Sequence, residues 1–259
     1  MALNANQQKK TLNLLRSKME EKIEKYSRET SSMPFLTRLI QNDERVASYS
    51  LIHSWATTLG QSMYEELAVI ISQGNCDESD NHVKMGGGIS DSRKTVINGI
   101  MRDLRNGTRE PDKIKESKEI LATSNKGEKF QKEGNIADFY MSRNKQEYYF
   151  EIKTVKPNID VFTASKKKML DWVARKDKDI KSIVALPYNP YAPKPYARFT
   201  EQNLYDKKEE FMVGKEFWNF LGGDGAYEEL LDLFDKVGKE YKTKLNKMLT
   251  EVGKKASRV

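Results

Sequence analysis

Hydrophobic positions along the chain recur with two periods, and these periods predict the order of helices and strands. Spacings of three and four residues predict helices at residues 8–27, 35–40, 45–72, 96–104, 163–176 and 226–252. Alternation with a period of two predicts a β-hairpin, with strands at 135–142 and 147–155 joined by a polar turn. The short apolar run KSIVALP predicts a further strand at 181–187. A helix separates it from the hairpin, so this strand is expected to lie parallel to the hairpin's second strand.

This order predicts an α/β fold with a mixed central sheet flanked by helices. The polar stretch NCDESDNH and the glycines at 86–88 are expected to form loops and tight turns. We expect one domain over residues 1–259. It divides into an N-terminal helical extension (1–45), a core with the hairpin (46–200) and a C-terminal helical region (201–259).

The net charge of the chain indicates what kind of molecule it binds. The chain has 259 residues, a net charge of +7 and a pI near 9.1. A basic surface attracts polyanions such as nucleic acid. The single cysteine, Cys76, excludes an internal disulfide and fits a reducing cytoplasm. We expect neither a secretory signal nor a membrane span, because no apolar run reaches about 18 residues.

Three charged residues of the hairpin form the candidate catalytic site. Glu151 and Lys153 are two residues apart on the second strand and project from one face, which Asp138 on the first strand can reach. The two carboxylates, with the carbonyl of Ile152, would suit Mg²⁺. The lysine could orient or deprotonate a water, or stabilise charge on a phosphate. The alternative is an exposed cross-strand charge pair with no catalytic role.

A glutamate from the helix at 45–72 is expected to complete this site. Glu66 falls on the apolar stripe of that helix by helical angle, and Glu65 lies at its edge. An acid that faces a core is costly unless it is paired or binds a metal. The sequence leaves open which of the two joins the site, and the alternative is that both are solvated.

Basic residues near the hairpin are candidate DNA contacts. A rigid loop rich in proline and tyrosine, YNPYAPKPYARF, carries two of them and follows the strand at 181–187. The competing interpretation is that these charges are solvated surface. The candidates are Arg93, Lys94, Lys156, Lys166, Lys167, Lys168, Arg175, Lys194 and Arg198.

The spacing Asp-x12-Glu-x-Lys resembles the PD-(D/E)xK nuclease superfamily, with Ala137 in the place of the motif's proline. Longer words are similar to type II restriction endonucleases of the TdeIII family. They are NIADFY, YYFEIKTVKPNIDVFT, WVARK, ALPYNPYAPKPYARF and FWNFLGGDGAYEELLDLFDKVGKEY. The pattern LGQSMYEELA resembles the helix that carries an additional glutamate in that superfamily, and it favours Glu65.

The resemblance implies a PD-(D/E)xK restriction-endonuclease-like core and Mg²⁺-dependent cleavage of double-stranded DNA at a short palindrome of the GGNCC type. It implies a homodimer in a prokaryotic cytoplasm. Its functional partner would be a cognate DNA methyltransferase that makes no stable contact with it. Two rival functions remain open: a structure-specific nuclease, such as a resolvase or repair enzyme, and a non-enzymatic DNA-binding module.

Overall fold

The computed structural model describes residues 1–25, 33–126, 135–198 and 203–256. Nine α-helices are present in these ranges. They are α1 (Ala5–Lys25), α2 (Pro34–Ile40), α3 (Asp43–Thr58), α4 (Tyr64–Ser72), α5 (Asp91–Arg105), α6 (Lys113–Ala122), α7 (Ile159–Lys176), α8 (Lys215–Gly222) and α9 (Ala226–Ala256). A π-helical segment, Leu59–Met63, joins α3 to α4.

A mixed five-stranded sheet runs through the centre of the molecule. Its strands lie in the order β1 (Glu78–Lys84), β2 (Ile136–Arg143), β3 (Gln146–Ile152), β4 (Lys181–Leu186) and β5 (Phe211–Val213). The first three are antiparallel, and β3, β4 and β5 are parallel. The predicted hairpin and its parallel neighbour are therefore confirmed, with helix α7 connecting them.

Each face of the sheet is covered by helices over its own apolar core. Tyr149 and Val184 pack with residues of α5, α6 and α7 on one face. Phe150 and Ile183 pack on the other with residues of α1, α4, α8 and α9. Strand β3 is buried on both faces from Tyr149 to Ile152, which is typical of a central strand. Any charged residue in this part of β3 must therefore be paired.

The hairpin's turn explains its register. Asn144 and Lys145 both have positive φ, 52° and 64°, as a two-residue turn of the kind favoured in hairpins requires. Pairing runs from Arg143↔Gln146 to Phe139↔Phe150. The next facing position, beyond the last pair, is occupied by Asp138 and Glu151.

The long helix expected at 45–72 is interrupted. A π-helical turn contains one residue more than an α-turn, so it rotates everything after it by about 100° relative to a continuous α-helix. Val46 and Leu51 are buried before the interruption, and Leu67 and Ile71 after it. Ile52 is 58% exposed. The single apolar stripe predicted for the helix at 45–72 is therefore wrong.

The polar stretch NCDESDNH was predicted to be a loop, and its second half is instead strand β1. This strand lies at the sheet edge and alternates between exposed and half-buried positions without a strong apolar side. Its pairing with β2 defines it, because no local hydrophobic signal does. Strand β5 is three residues long, too short to show a hydrophobic period in the sequence.

The glycines at 86–88 form a turn, as expected. Gly87 has φ of +82°, and a Cβ built on it would lie 2.4 Å from the backbone oxygen of Arg175. Only glycine fits where this turn meets helix α7. No helix in the described ranges is both long and apolar enough to cross a membrane.

Candidate active site

The candidate site lies where strands β2 and β3 stop pairing. In place of the next ladder bond, the backbone N–H of Ile152 donates to Asp138 Oδ2 at 2.8 Å. This bond fixes the Asp138 carboxylate at the fork of the hairpin, facing Glu151. Side-chain exposure is 14% for Asp138 and 4% for Glu151. Two carboxylates so close and so poorly solvated require nearby cations.

Lys153 supplies one of these cations. Its Nζ lies 3.3 Å from Asp138 Oδ2 and 2.7 Å from Glu151 Oε1, and its backbone N–H donates to Ala185 O at 3.0 Å. Burial alone would lower the pKa of Lys153. The negative charges of Glu151 and Asp138 outweigh that effect and raise it. The two carboxylates thus favour the charged form of Lys153, which donates hydrogen bonds, in the metal-free protein.

Lys168 supplies the second cation, from helix α7. Its Nζ donates to Glu151 Oε2 and lies 3.6 Å from Asp138 Oδ1. The hydroxyl of Ser165, one turn earlier on the helix, lies 3.5 Å from Glu151 Oε1. Helix α7 thus faces the end of β3 with groups that hold Glu151 in place.

Glu65 approaches the same site from helix α4. Burial, and then the nearby charge of Asp138, raise the pKa of the Glu65 carboxyl to about 7, although His82 and Lys153 oppose the shift. His82 Nε2 lies 3.0 Å from Glu65 Oε2, yet that oxygen has no hydrogen bond of acceptable geometry within the described ranges. Glu65 therefore keeps a buried oxygen without a donor beside two other carboxylates.

Glu66 points away from this site. Its carboxylate pairs with Lys18 at 2.8 Å, and its side chain is 35% exposed. The helical-angle argument for Glu66 was wrong because it ignored the π-helical segment Leu59–Met63, whose extra residue turns Glu65 inward instead. The alternative that both glutamates are solvated is wrong for Glu65, which is 7% exposed.

The donor set suits a hard divalent cation. Asp138 and Glu151 offer carboxylate oxygens, Ile152 offers a carbonyl, and Glu65 adds its buried oxygen without a donor. As the side chains stand, no three His, Cys, Asp or Glu residues in the described ranges converge closely enough to enclose a metal. The two lysine ammoniums lie against the carboxylates instead. The residues fit Mg²⁺ by chemistry, provided that their side chains rearrange.

Three predicted DNA contacts do not lie on an exposed face, and these predictions are corrected. Lys166 is fully buried and pairs with Glu116 and Glu210. Arg175 is 5% exposed and donates to Gly87 O at 2.8 Å. The third, Arg93, is 3% exposed and pairs with Asp177, and it also donates to two carbonyls. These cations join elements of the fold, and buried side chains cannot reach a phosphate.

The remaining basic candidates are at least partly accessible. Lys156 and Lys194 are exposed, and Arg198, Lys94 and Lys167 are half-buried. Lys94 and Lys167 pair with Asp91 and Asp171 within their own helices. Lys156 Nζ lies 5.6 Å from the centre of the Tyr191 ring. The tyrosine-rich loop packs beside the end of the hairpin, since Tyr196 donates to the carbonyl of Val155 at 3.1 Å.

Two neighbours of the site are not recognisable as such from the sequence. His82 lacks the spacing of a metal ligand, but its neighbours Asn81 and Val83 pair with Phe139 and Ala137. Its facing position on β2 is therefore Asp138. Lys168 was predicted as a phosphate contact rather than as a partner of the carboxylates. Its spacing of three residues from Ser165 was the available signal, since both lie on one helix face.

Comparison with known proteins identifies the family. The family model of the type II restriction endonuclease HinfI matches residues 3–238. The chain is 29% identical over 229 residues to the type II restriction enzyme MjaII of Methanocaldococcus jannaschii. The aligned region covers 80% of this chain and 60% of that enzyme. It is 30% identical over 108 residues to HgiEI and 29% identical over 119 residues to HgiCII, type II restriction enzymes of Herpetosiphon aurantiacus. These matches cover 39% and 44% of each chain.

The chain thus spans about 60% of the length of MjaII. No solved structure matches it. The matching model is that of HinfI, so the resemblance to the TdeIII family is not confirmed. The match nevertheless extends from the first helix well into the last one and includes every residue of the candidate site. The chain belongs to the HinfI family of type II restriction endonucleases.

Proposed function

We propose that this protein is a site-specific endonuclease that hydrolyses double-stranded DNA with Mg²⁺ as cofactor, on a core of the PD-(D/E)xK kind. The observation that carries the proposal is the convergence of Asp138, Glu151 and Lys153 at the fork of the hairpin, beside the buried carboxyl of Glu65. Family membership supplies the reaction class, and this cluster supplies groups suited to it.

The proposed ligands are Asp138, Glu151 and the carbonyl of Ile152, with Glu65 joining directly or through water. Bound there, Mg²⁺ would lower the pKa of a bound water and offset charge on the phosphate. Burial of the three carboxylates strengthens their attraction for a dication, since less solvent competes for them. Asp138 is held in place by the Ile152 N–H, so this part of the ligand set is formed before a metal arrives.

Lys153 would position the attacking water and stabilise negative charge. In the reaction a water oxygen bonds to phosphorus, one P–O ester bond breaks, and the departing oxygen takes up a proton. As an ammonium, Lys153 would donate hydrogen bonds to the water or the phosphate. The proton that the water gives up balances the proton that the departing oxygen takes up.

DNA would lie along the surface beside the tyrosine-rich loop. Lys156 and Lys194 are exposed there, and Tyr188 is 44% exposed. A short palindrome, with GGNCC as the proposed type, calls for a two-fold homodimer in which each subunit meets one half-site. A methyltransferase of the same specificity would protect the host DNA in the prokaryotic cytoplasm.

The test uses four proteins: wild type, Asp138→Asn, Lys153→Ala and the control Asp160→Asn. Asp160 is an acid on helix α7 whose side chain is 84% exposed. With Mg²⁺ or Mn²⁺, wild type and control should cut plasmid DNA at fixed sites, and both site variants should lose at least about 100-fold in rate. Ca²⁺ should support binding without cutting.

Full cleavage in excess EDTA would refute the proposed metal requirement. Normal cutting by either site variant would refute the assignment of that residue to the active site. Preferential cutting of branched over linear duplex would instead indicate a structure-specific nuclease. Binding without any Mg²⁺-dependent product would indicate a module that only binds DNA. Sequencing the ends of the digested plasmid would give the recognition site and the cut position.

A further inference from the structure

We infer that Lys168 is a second active-site lysine, which holds Asp138 and Glu151 together in the metal-free protein and is displaced from them when the metal binds. The inference rests on the proposed function, because it assumes that these two carboxylates are metal ligands. This role differs from the DNA contact that the sequence predicted for Lys168.

The contacts of the two ammoniums are complementary. Lys153 lies against Asp138 Oδ2 and Glu151 Oε1, and Lys168 lies against Asp138 Oδ1 and Glu151 Oε2. All four carboxylate oxygens therefore face an ammonium. A metal that binds both carboxylates therefore competes for oxygens that already face an ammonium.

The charges also balance without a metal. Two carboxylates and two ammoniums sum to zero, so the buried cluster has no unpaired charge. Adding a dication while both lysines stay would leave an excess of +2, or of +1 where Glu65 joins as a carboxylate, in a site with little solvent, where repulsion between cations is strong. Removal of one ammonium relieves part of this excess and frees the oxygens that face it.

Lys168 is the lysine that can leave. Lys153 follows directly after β3, and its backbone N–H is bonded to Ala185. Lys168 reaches the carboxylates from helix α7 through its side chain alone, at 3.6 Å from Asp138 and in closer contact with Glu151. Its Nζ also lies 5.5 Å from the centre of the Trp172 ring. That ring face can keep a displaced ammonium near the site.

The test measures cation affinity without DNA and without cleavage. Mn²⁺ binding to the full chain is followed by calorimetry or by electron paramagnetic resonance for wild type, Lys168→Met, Lys168→Gln and the control Lys167→Met. Lys167 is the adjacent residue, and its ammonium pairs with Asp171 at 3.0 Å. If the lysine bridge is formed in about nine of ten metal-free molecules, its removal should tighten the apparent Kd about tenfold. Lys167→Met should match wild type.

A second measurement needs no variant. Wild-type protein is acetylated briefly with and without Ca²⁺, and the labelling of each lysine is read by mass spectrometry. Ca²⁺ should raise the labelling of Lys168 and leave that of Lys167 unchanged. This readout remains decisive if loss of the Lys168 charge beside buried Glu151 prevents either variant from folding.

Each outcome decides the inference. Tighter Mn²⁺ binding by the Lys168 variants, or Ca²⁺-dependent exposure of Lys168, supports it. Equal or weaker binding by folded variants, or unchanged labelling where they do not fold, overturns it, because a merely structural lysine would weaken the site when removed. If wild type binds no Mn²⁺ at all, the proposed metal site itself fails and the inference falls with it.

Discussion

Replacing Lys166 by Met should destabilise the protein strongly without touching the candidate site. The ammonium lies 2.6 Å from Glu116 Oε2 and also contacts Glu210 Oε1, and all three side chains are fully buried. Without Lys166, two carboxyls remain inside the protein with their main counterion gone. Removing one partner of a buried ion pair costs about 3–5 kcal/mol in free energy of unfolding. A domain of ordinary stability, about 5–15 kcal/mol, survives such a loss.

The cost should depend on pH, and the sign follows from protonation. Burial already raises the pKa of Glu210, although Lys166 opposes the shift. In the variant this opposition is lost, so the folded protein binds more protons than the unfolded chain above the usual glutamate range. Stability of the variant must then fall as pH rises. The loss relative to wild type should be larger at pH 8 than at pH 5.

Urea unfolding at both pH values measures the effect, with Lys239→Met as the control. Lys239 forms an exposed i,i+4 pair with Asp235, so its loss should cost less than about 1 kcal/mol. Exchanging Glu116, Lys166 and Glu210 together for apolar residues of similar size should restore much of the stability. A loss below about 1 kcal/mol for Lys166→Met, or one equal at both pH values, would refute the reasoning.

Two further predictions concern a buried carboxyl and a glycine in a tight turn. Glu65→Gln should raise the unfolding free energy of the metal-free protein at pH 8 by about 1–3 kcal/mol and remove a decline between pH 4.5 and 7. The reason is that the raised pKa makes ionised Glu65 unfavourable in the fold. The unfolding free energy is measured across this pH range in EDTA, with Glu66→Gln as the control. Equal changes in unfolding free energy for the two variants would contradict the prediction. Gly87→Ala should cost about 2–4 kcal/mol, because φ is +82° and the new Cβ meets the Arg175 carbonyl. Gly86→Ala, with nothing within 4 Å, should be nearly neutral in thermal unfolding, and a similar loss at both glycines would argue against a steric cause.

The central part of the sheet could be predicted because its signals are local. The hairpin alternates apolar and polar residues, turns at a polar tripeptide, and continues into an amphipathic helix and an apolar strand. These features belong to consecutive residues, so one sequence is enough to recognise them. The same locality explains why the amino-acid sequence alone places Asp138, Glu151 and Lys153 on one face of the sheet.

The misplaced residues depended on information that is not local. Lys166 was assigned to an exposed cationic face because its neighbours are lysines, but its partners Glu116 and Glu210 are distant in sequence, the latter by 44 residues. Charge spacing along a helix does not distinguish a solvated cation from a buried one. Only the packing of α6 and of the segment before β5 against α7 makes that distinction.

Glu65 and Glu66 show a subtler limit. The angle argument was sound for a continuous α-helix, and it failed because five residues, Leu59–Met63, adopt π-helical pairing. One extra residue exchanges the faces of adjacent side chains. A Cβ on Gly60, in the same segment, would lie 3.1 Å from Thr154, the residue after Lys153. The π-helical segment therefore packs closely against the end of the hairpin, and this packing brings Glu65 to the site.

The position of the site follows from where the hairpin ladder ends. Had pairing continued past Phe139↔Phe150, the N–H of Ile152 would have bonded within the ladder and not to Asp138. Because the strands separate there, a carboxylate occupies the fork and a second one faces it. Two like charges in a buried place demand cations, and the side-chain ends of two lysines meet that demand in the metal-free fold. In the proposed function, a divalent cation would take over part of this compensation.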